Sequence, residues 1–317
     1  MAWWTICWNL CRLNFRVANH STNQLLDPVH LNRINDLSLL ARVVVDGALP
    51  GFHRSLRQGR GNEFFQYRSY EPGEDLKVVD WKVFAKRDEL VAKTFQEDTN
   101  FTVFLVMDAS ASMGYQGEST ACTKLRYASM LGACFAYLAQ RQGDRVGFFA
   151  YGDETQQWIR PSSGSGHLHR ILSGIASLEA KGTSQHERAW DQLSNVLPGR
   201  SMVVFLSDFL EAEDTLSDRL KFSLSSHYES LCIQVLDPEE INLPNEKALR
   251  FTEMEGAREI STSPEAIRED YRRDMTNFMR RVKDYMNLVS AEFETITSDL
   301  DIGHGLRRFL GVRNRSQ

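Results

Sequence analysis

The 317-residue chain lacks an excess of basic residues, a long hydrophobic run and a regular cysteine pattern. It carries 37 Lys and Arg against 42 Asp and Glu, for a net charge of −5. This balance argues against a dedicated nucleic-acid binder, because such proteins usually present a strong positive field. No window of about 18 uncharged apolar residues occurs, so we expect no transmembrane helix. A hydrophobic fraction of 42% is typical of a globular protein and excludes wholesale disorder.

The chain has only five cysteines, an odd number at scattered spacings. We therefore expect free thiols, a reducing compartment and a cytoplasmic location rather than a disulfide framework. A zinc site from Cys7, Cys11 and His20 is disfavoured because no second ligand pair follows at metal-site spacing. Residues 1–27 are rich in Trp but lack the basic segment and cleavage site of a signal peptide. We expect a disordered leader, with weak membrane-surface contact through its Trp residues as the alternative.

Several catalytic motifs are also missing. No Gly-x-x-x-x-Gly-Lys-Ser/Thr loop occurs, which excludes the usual P-loop nucleotide site. No Gly-x-Ser-x-Gly nucleophile elbow follows a predicted strand. His167 and His169 lie at a helix start, where their side chains should diverge rather than share a metal. We therefore predict no catalytic and no organic cofactor-binding residues.

From about residue 101 the hydrophobic pattern alternates between short apolar runs and amphipathic stretches. The predicted strands are Phe101–Met107, Arg145–Tyr151, Gln156–Ile159, Met202–Leu206, Leu231–Leu236 and Glu292–Ile296. The predicted helices are Lys124–Gln140, Leu168–Leu178, Glu187–Val196, Thr215–Leu224, Pro264–Met286 and Leu300–Leu310. This order predicts an α/β fold with a mostly parallel sheet flanked by helices. We place this domain at residues 100–312, before a tail at 313–317. A smaller α+β region at residues 28–99 should pack against it.

Polar side chains follow the predicted strands where each strand ends. Asp108, Ser110 and Ser112 follow the first strand of the alternating region. Thr183 precedes one predicted helix, and Asp208 follows the Met202–Leu206 strand. In an open parallel sheet, ligands bind outside the carboxyl ends of the strands. Oxygen-only ligands suit a hard cation, so these five residues predict a site for Mg²⁺, with Mn²⁺ or Ca²⁺ as alternatives.

The spacing Asp-x-Ser-x-Ser lets alternate side chains point at one centre, while small Ala109 and Ala111 leave room. One carboxylate and two hydroxyls leave the cation under-neutralised, so we expect it to accept an acidic side chain from another molecule. The simpler interpretation is that Asp108 and the two serines only cap the following helix. Thr183 and Asp208, at the expected neighbouring loops, favour the metal site.

These five residues resemble the metal-ion-dependent adhesion site of von Willebrand factor A domains. The resemblance implies that the two serines and Thr183 coordinate the metal. It also implies that Asp108 binds directly or through water, and that Asp208 lies one shell further out. The assignments of Thr183 and Asp208 rest on loop order.

The preceding segments resemble the bacterial "domain of unknown function 58" family. The matching motifs are Gly61-Asn-Glu-Phe64, Arg68-Ser-Tyr-x-Pro-Gly-Glu-Asp75, Val79-Asp-Trp-Lys82, Ala85-Lys-Arg87 and Leu90-Val-Ala-Lys93. The resemblance covers about residues 29–311 and implies an A-like domain behind this region. It further implies a MoxR-type AAA+ ATPase, or a client of that ATPase, as partner. A common form of the family begins with two membrane helices, and this chain looks like the form without them.

Two further features have ordinary structural explanations. We expect Asp80 and Trp81 to be structural, with Trp81 buried and Asp80 paired to an arginine such as Arg68 or Arg87. We expect the Gly- and Arg-rich segment 51–61 to be a solvated loop. The alternative is that it binds phosphate or an acidic partner.

The favoured function is a non-enzymatic, metal-dependent protein-binding module. The alternative is a metal-dependent hydrolase of phosphate esters or nucleic acid, which would need a second metal or a general base nearby. The acids that the neighbouring loops offer for that role are Asp153, Glu154 and Glu211. Neither a two-metal cluster nor a histidine base emerges from them.

Overall fold

The computed structural model describes most of the chain from residue 26 to residue 315. The described ranges are 26–48, 58–59, 63–70, 77, 79–96, 101–184, 186, 193, 201–210, 228–244, 249–252, 259–262 and 264–315. The Trp-rich leader with Cys7, Cys11 and His20 lies outside the described residues. So do most of segment 51–61, the predicted helix Thr215–Leu224 and nearly all of the predicted helix Glu187–Val196.

The described residues form eleven strands and eight α-helices. The strands are β1 Gln58–Gly59, β2 Glu63–Ser69, β3 Val91–Gln96, β4 Thr102–Asp108, β5 Arg145–Tyr151, β6 Thr155–Ser162, β7 Ser201–Ser207, β8 Tyr228–Leu236, β9 Leu249–Thr252, β10 Glu259–Thr262 and β11 Glu292–Thr297. The helices are α1 Pro28–Leu31, α2 Leu37–Ala48, α3 Trp81–Arg87, α4 Lys124–Arg141, α5 Ser165–Ala176, α6 Pro238–Ile241, α7 Pro264–Leu288 and α8 Ile302–Arg315. A short 3₁₀ helix spans Ala111–Gly114.

A six-stranded sheet in the order β11-β8-β7-β4-β5-β6 forms the centre of the molecule. All its neighbouring pairs are parallel except β5 and β6, which pair antiparallel at one edge. The predicted α/β class with a mostly parallel sheet flanked by helices is therefore confirmed. The antiparallel edge follows from the short connection between Tyr151 and Thr155, since parallel neighbours need a long crossover.

The central strands are buried on both faces, which explains their continuous hydrophobic runs. Every residue of β4 and of β7 is buried. Side chains alternate between the faces, so Val103, Leu105 and Met107 join one hydrophobic cluster while Phe104 and Val106 join the other. The first cluster includes residues of α2, α4, α5 and α8, and the second includes residues of α7.

Helix α2 belongs to the main core although it precedes the central sheet by more than fifty residues of sequence. Leu40, Ala41 and Val44 have no exposed surface and belong to the same cluster as the inner face of α4. Arg126 of α4 also donates to the backbone oxygen of Ile34, at 2.6 Å. The segment that leads into the sheet is thus held by both apolar and polar contacts.

A separate three-stranded antiparallel sheet, in the order β1-β3-β2, lies before the central sheet in sequence. Helix α3 lies between β2 and β3 in sequence. It begins after Asp80, whose side chain accepts hydrogen bonds from the backbone N–H groups of Lys82 and Val83. Strands β9 and β10 form a two-stranded antiparallel sheet. Among the described residues, no helix combines the length and the apolar character that crossing a membrane requires.

Candidate metal centre

The sequence-predicted residues of β4 and β7 lie together at the carboxyl edge of the sheet. Strand β4 ends at Asp108 and pairs in parallel with β7, whose last residue, Ser207, is followed by Asp208. The loop at residues 181–184 reaches the same edge through two backbone hydrogen bonds. Lys181 donates to the oxygen of Ala109 at 2.9 Å, and Ala111 donates to the oxygen of Gly182 at 2.8 Å.

Gly182 makes this loop contact possible. Its φ of +73° lies in the left-handed region, which L-residues with a side chain rarely adopt. A Cβ at this position would also collide with the carboxylate of Asp153. Gly182 therefore allows the backbone conformation that brings the loop at residues 181–184 to the end of β4.

Asp108 lies at the centre of a hydrogen-bond network and has no exposed surface. Its Oδ1 accepts from the backbone N–H of Ser110 at 2.9 Å. Its Oδ2 accepts from the hydroxyls of Ser184 at 3.0 Å and Ser207 at 2.7 Å. Burial raises the pKa of the Asp108 carboxyl, and nearby His186 opposes this rise while Asp208 adds to it.

The hydroxyls of Ser110 and Ser112 approach each other at 3.1 Å beside this carboxyl. Ser110 is fully buried, whereas Ser112 is partly exposed at the start of the 3₁₀ helix. A hydrogen bond from Ser112 also helps to lower the pKa of Asp208. Four of the predicted residues, Asp108, Ser110, Ser112 and Asp208, are therefore joined in one network.

The fifth predicted residue, Thr183, lies in the loop at residues 181–184, and its side chain is exposed. Its neighbour Ser184 supplies the hydroxyl that bonds to Asp108. Ser184 was not among the predicted site residues, although it lies in the same Gly-Thr-Ser segment. The sequence alone does not show which of two neighbouring hydroxyls in a loop contacts Asp108, because that depends on the path of the backbone.

Lys124 was not predicted from the sequence, yet it contacts the predicted residue Asp208. Its Nζ lies 2.8 Å from Oδ2 of Asp208 and 2.6 Å from Oε1 of Glu240, and its side chain has no exposed surface. Burial alone would raise the pKa of Asp208, but the Lys124 ammonium outweighs it and holds that pKa below its usual value. A signal existed in the sequence: Lys124 opens a helix, where the dipole disfavours a positive charge unless an acidic partner is present.

His186 connects the loop at residues 181–184 to strand β5, because it contacts both Ser184 and Tyr151. It is 4% exposed, and its Nδ1 lies 2.6 Å from the Tyr151 hydroxyl. Its Nε2 lies 3.0 Å from the Ser184 hydroxyl and 4.0 Å from Oδ2 of Asp108. The ring also stacks on Phe209 with centroids 5.7 Å apart. His186 thus positions Ser184 and, through it, the Asp108 carboxylate.

A second buried carboxylate, Asp237, holds the loop that follows Ser112. Its Oδ2 accepts from the backbone N–H of Gly117 and the hydroxyl of Thr120, both at 2.9 Å. Asp237 also caps α6, where Glu240 completes a capping box. Because Glu240 binds Lys124 as well, the α6 cap and the strand-end network form one continuous polar cluster.

The donor set at this edge suits a hard cation. The described side chains that surround Asp108 offer carboxylate and hydroxyl oxygens, which Mg²⁺ and Ca²⁺ prefer, beside the imidazole of His186 at 4.0 Å. Among the described residues, no three His, Cys, Asp or Glu side chains group at metal-ligand spacing. A metal here would therefore depend on hydroxyl and water ligands, with Asp108 supplying negative charge. The residues present fit a weakly coordinated, oxygen-bound divalent ion.

Other sequence-predicted features can be placed. His167 and His169 diverge as expected: Nε2 of His167 bonds to the backbone oxygen of Val146 at 2.7 Å, and His169 is exposed. Asp153 and Glu154 are exposed, and Glu211 lies outside the described residues. The expectation that Trp81 is buried is wrong, since 54% of its surface is exposed. Asp80 uses its carboxylate for the Tyr67 hydroxyl and for the start of α3.

Comparison with known proteins identifies the family. The family model described as "Protein of unknown function DUF58" matches residues 66–280. The chain belongs to this family. The uncharacterized proteins Mb1516 of Mycobacterium bovis and Rv1480 of Mycobacterium tuberculosis are each 28% identical to it over 294 residues, covering 91% of both chains. The family predicted from the motifs is thus confirmed.

The chain is also similar to solved structures at low identity. BatB from Bacteroides thetaiotaomicron is 15% identical, with a TM-score of 0.45, and the match covers 68% of this chain and 98% of that one. The SpRpn10 VWA domain is 11% identical, with a TM-score of 0.44, over 66% of this chain and 95% of that one. A von Willebrand factor type A protein from Catenulispora acidiphila is 13% identical, with a TM-score of 0.41, over 71% and 44%.

Proposed function

We propose that this DUF58 protein is a metal-dependent protein-interaction module. Asp108, Ser110, Ser112 and Thr183 would hold a Mg²⁺ ion, and Asp208 would support them from the next shell. The bound ion would supply a Lewis-acidic position for one carboxylate of a partner protein. The observation that carries the proposal is that three segments bring hydroxyl groups to the buried Asp108 carboxylate: the loop after β4, the loop at residues 181–184 and the end of β7.

The charge balance supports a cation at this edge. Asp108, Asp208 and Glu240 contribute three carboxylates, and Lys124 contributes one ammonium that contacts two of them. Lys124 thus leaves the Asp108 carboxylate without an ammonium contact among the described hydrogen bonds. His186, at 4.0 Å from Oδ2 of Asp108, adds positive charge there only if it is protonated. A divalent cation near Asp108 would offset the remaining negative charge, and an open coordination position on it would accept an acidic group from outside.

The resemblance to the family implies the partner. We propose a MoxR-type AAA+ ATPase or one of its clients, acting with this protein in the assembly or remodelling of other proteins. The cytoplasmic location expected from the cysteine pattern belongs to the same proposal. A metal-dependent hydrolase would need a general base, and His186 is the histidine beside Asp108, at 4.0 Å. It is only 4% exposed and is engaged by the hydroxyls of Tyr151 and Ser184, so we propose a non-enzymatic role.

Isothermal titration with MgCl₂ tests the metal site. We expect the wild-type protein to bind one divalent ion and Asp108→Asn to lose this binding, because the isosteric amide removes the negative charge. Ser112→Ala, at a partly exposed position, should weaken binding without removing a buried charge. Asp284→Asn is the matched control, since Asp284 is an exposed carboxylate on α7. Equal Mg²⁺ affinity in wild type and Asp108→Asn would refute the site.

The partner is tested separately. The tagged protein is incubated with a purified MoxR-type ATPase from the same organism, with Mg²⁺ or with EDTA. We expect complex formation with Mg²⁺ and its loss with EDTA or in Asp108→Asn. A complex that survives both treatments would contradict metal-dependent docking. Phosphatase or nuclease turnover that Asp108→Asn abolishes would establish the hydrolase instead.

A further inference from the structure

A surface cavity lies beside the edge strand β6. Its volume is about 720 Å³, and its described lining residues come from the second half of β6, the loop after it and the first turns of α5. Ser162, at the end of β6, pairs with Val146 near the start of β5, so the cavity lies at the end of the sheet opposite Asp108. Its volume falls within the ~300–1,000 Å³ that is usual for sites of small organic ligands.

Unpaired arginines line this cavity. Arg160 of β6 and Arg170 of α5 are exposed lining residues, and neither forms a hydrogen bond or an ion pair with a described residue. A third guanidinium lies next to the lining, because Arg145 donates to the backbone oxygen of Pro161 at 3.1 Å. Two strands and a helix thus bring positive charge to the same end of the sheet.

No acidic side chain of β6 or α5 neutralises these arginines. Residues 155–178, all of which the structure describes, include neither Asp nor Glu. Glu154 precedes β6, and Glu179 follows α5 and accepts at its backbone oxygen from the side chain of Gln156, at 2.8 Å. These two acids therefore lie at the start of β6, whereas the cavity lies at its end. The electrostatic complement of the cavity is an anion.

His167 adds a polar atom from a nearly buried position. The residue is only 8% exposed, yet it lines the cavity. Its Nε2 lies 2.7 Å from the backbone oxygen of Val146, which can only accept, so Nε2 carries the hydrogen. Its other ring nitrogen, Nδ1, forms no hydrogen bond with a described residue. A ring fixed through one nitrogen, with the second unpaired, indicates a missing polar partner.

The first turn of α5 contributes backbone donors to the same lining. Gly164 precedes the helix and has no side chain that could accept from its N–H groups. The N–H groups of Ser165 and Gly166 find no acceptor among the described residues. A Cβ at Gly166 would meet no atom within 4 Å, so the space over this residue is open. Such N–H groups bind the oxygens of anions, phosphate included.

We propose that this cavity binds a small organic molecule through a phosphate group. Arg160 and Arg170 would neutralise the phosphate, and the N–H groups of Ser165 and Gly166 would bind its oxygens. The cavity is larger than a phosphate alone, and the organic part would occupy the rest, whose lining includes Trp158. A phosphorylated small molecule is favoured over nucleic acid because the whole chain carries a net charge of −5. This site goes beyond the proposed metal-dependent function.

Isothermal titration of the full-length, metal-free protein tests the proposal with defined probes. The phosphate monoesters are AMP, glucose 6-phosphate and O-phosphoserine, and the matched controls are adenosine, glucose and serine. We expect at least one monoester to bind at a single site and its unphosphorylated parent not to bind. Inorganic phosphate should bind more weakly and compete for the same site.

Single substitutions locate the binding site. Arg160→Gln and Arg170→Gln should each lower the affinity for the monoester at least tenfold, because each removes a charge-assisted hydrogen bond. Gly166→Ala should also weaken binding, since its methyl group enters open space in the lining while alanine favours the helix. Arg272→Gln is the matched control: it removes the same charge from an exposed position on α7 and should leave the affinity unchanged.

The imidazole of His167 gives a second readout. In protein labelled with ¹⁵N-histidine, the Nδ1 resonance of His167 should shift when the monoester is added, and Arg170→Gln should reduce this shift. Circular dichroism establishes that each variant is folded.

Several results would overturn the proposal. These are no binding of any phosphate probe, equal binding of the unphosphorylated parents, or unchanged affinity in both arginine variants. Binding of single-stranded RNA that Arg160→Gln and Arg170→Gln abolish, with no binding of the small monoesters, would assign the arginines to a nucleic acid instead.

Discussion

At the scale of single residues, Lys124 and the two carboxylates that contact it form a buried charged cluster. A buried ammonium is tolerated because Asp208 and Glu240 both approach it within 2.8 Å. Removing one partner from such a cluster leaves uncompensated charges in a poorly solvated place. Lys124 therefore stabilises the fold and fixes Asp208 beside the proposed metal site at the same time.

We expect Lys124→Met to lower the free energy of unfolding by about 3–5 kcal/mol, because two buried carboxylates lose their cation. Urea denaturation followed by circular dichroism measures this change. Lys181→Met is the matched control: its pair with Glu179 spans 3.5 Å and is largely exposed, so its loss should be below about 0.5 kcal/mol. Equal losses in the two variants would show that the Lys124 pairing contributes little.

The described thiols should be nearly inert in the native protein. Burial raises the pKa of Cys232 to about 12 and that of Cys122 to about 11, and Cys134 is fully buried. Thiolate is the reactive form, so alkylation by iodoacetamide at pH 8 should be slow at these three positions. Peptide mapping by mass spectrometry, with urea-unfolded protein as reference, measures the rates. Labelling of Cys232 as fast as in urea would contradict its burial.

At the scale of elements, Asp237 connects a helix cap to the loop beside the metal centre. It starts α6 and also receives hydrogen bonds from Gly117 and Thr120, far away in sequence. Thr123, in contrast, is an ordinary cap that accepts from the Arg126 N–H at the start of α4. The two caps differ in how many buried donors each satisfies.

We expect Thr123→Ala to cost about 1 kcal/mol of folding free energy, as a typical lost cap does. Asp237→Ala should cost at least twice as much, about 2–4 kcal/mol, because it also leaves buried donors of the 117–120 loop without an acceptor. Chemical denaturation gives both values. Hydrogen exchange should speed up at Gly117 in Asp237→Ala only, and equal exchange in both variants would contradict this coupling.

Prediction of elements from the sequence succeeded where a physical signal was local. β4, β5 and β7 are continuous hydrophobic runs, and the structure places each within a residue or two of its predicted bounds. Helix α3 was not predicted because its seven residues make only about two turns, too short for a hydrophobic pattern to indicate a helix. Lys124 at a helix start signals an acidic partner but does not identify it, because Asp208 and Glu240 follow two other strands and only the sheet order brings them to Lys124.

At the scale of the whole molecule, α2 joins the core that the central sheet builds. We predict an A-like domain from residue 100, with the region at residues 28–99 packed against it. Leu40, Ala41 and Val44 of α2 are fully buried in the main hydrophobic cluster. Helix α2 covers α4 and also contacts α5. The hydrophobic face of α4 is therefore completed by residues that lie outside the central sheet and its crossover helices.

A fragment that begins at residue 100 should for this reason fail to fold cooperatively. Leu37, Leu40, Val44 and Val45 are each at most 3% exposed. Burying such a side chain contributes about 1.5–3 kcal/mol, so losing all four removes roughly 6–12 kcal/mol. That amount is comparable to the whole stability of a typical domain, about 5–15 kcal/mol. We expect the fragment to bind a hydrophobic dye and to show no sharp thermal transition.

A fragment from residue 26 to the end retains α1 and α2 and is the matched comparison. It should unfold in one sharp transition, because the described core begins at Leu26. Adding the peptide of residues 26–48 in trans to the shorter fragment should restore part of that transition, since the docking face of α4 would be covered again. A sharp transition of the shorter fragment without the peptide would contradict a shared core. It would instead show that the central sheet and its own crossover helices fold alone.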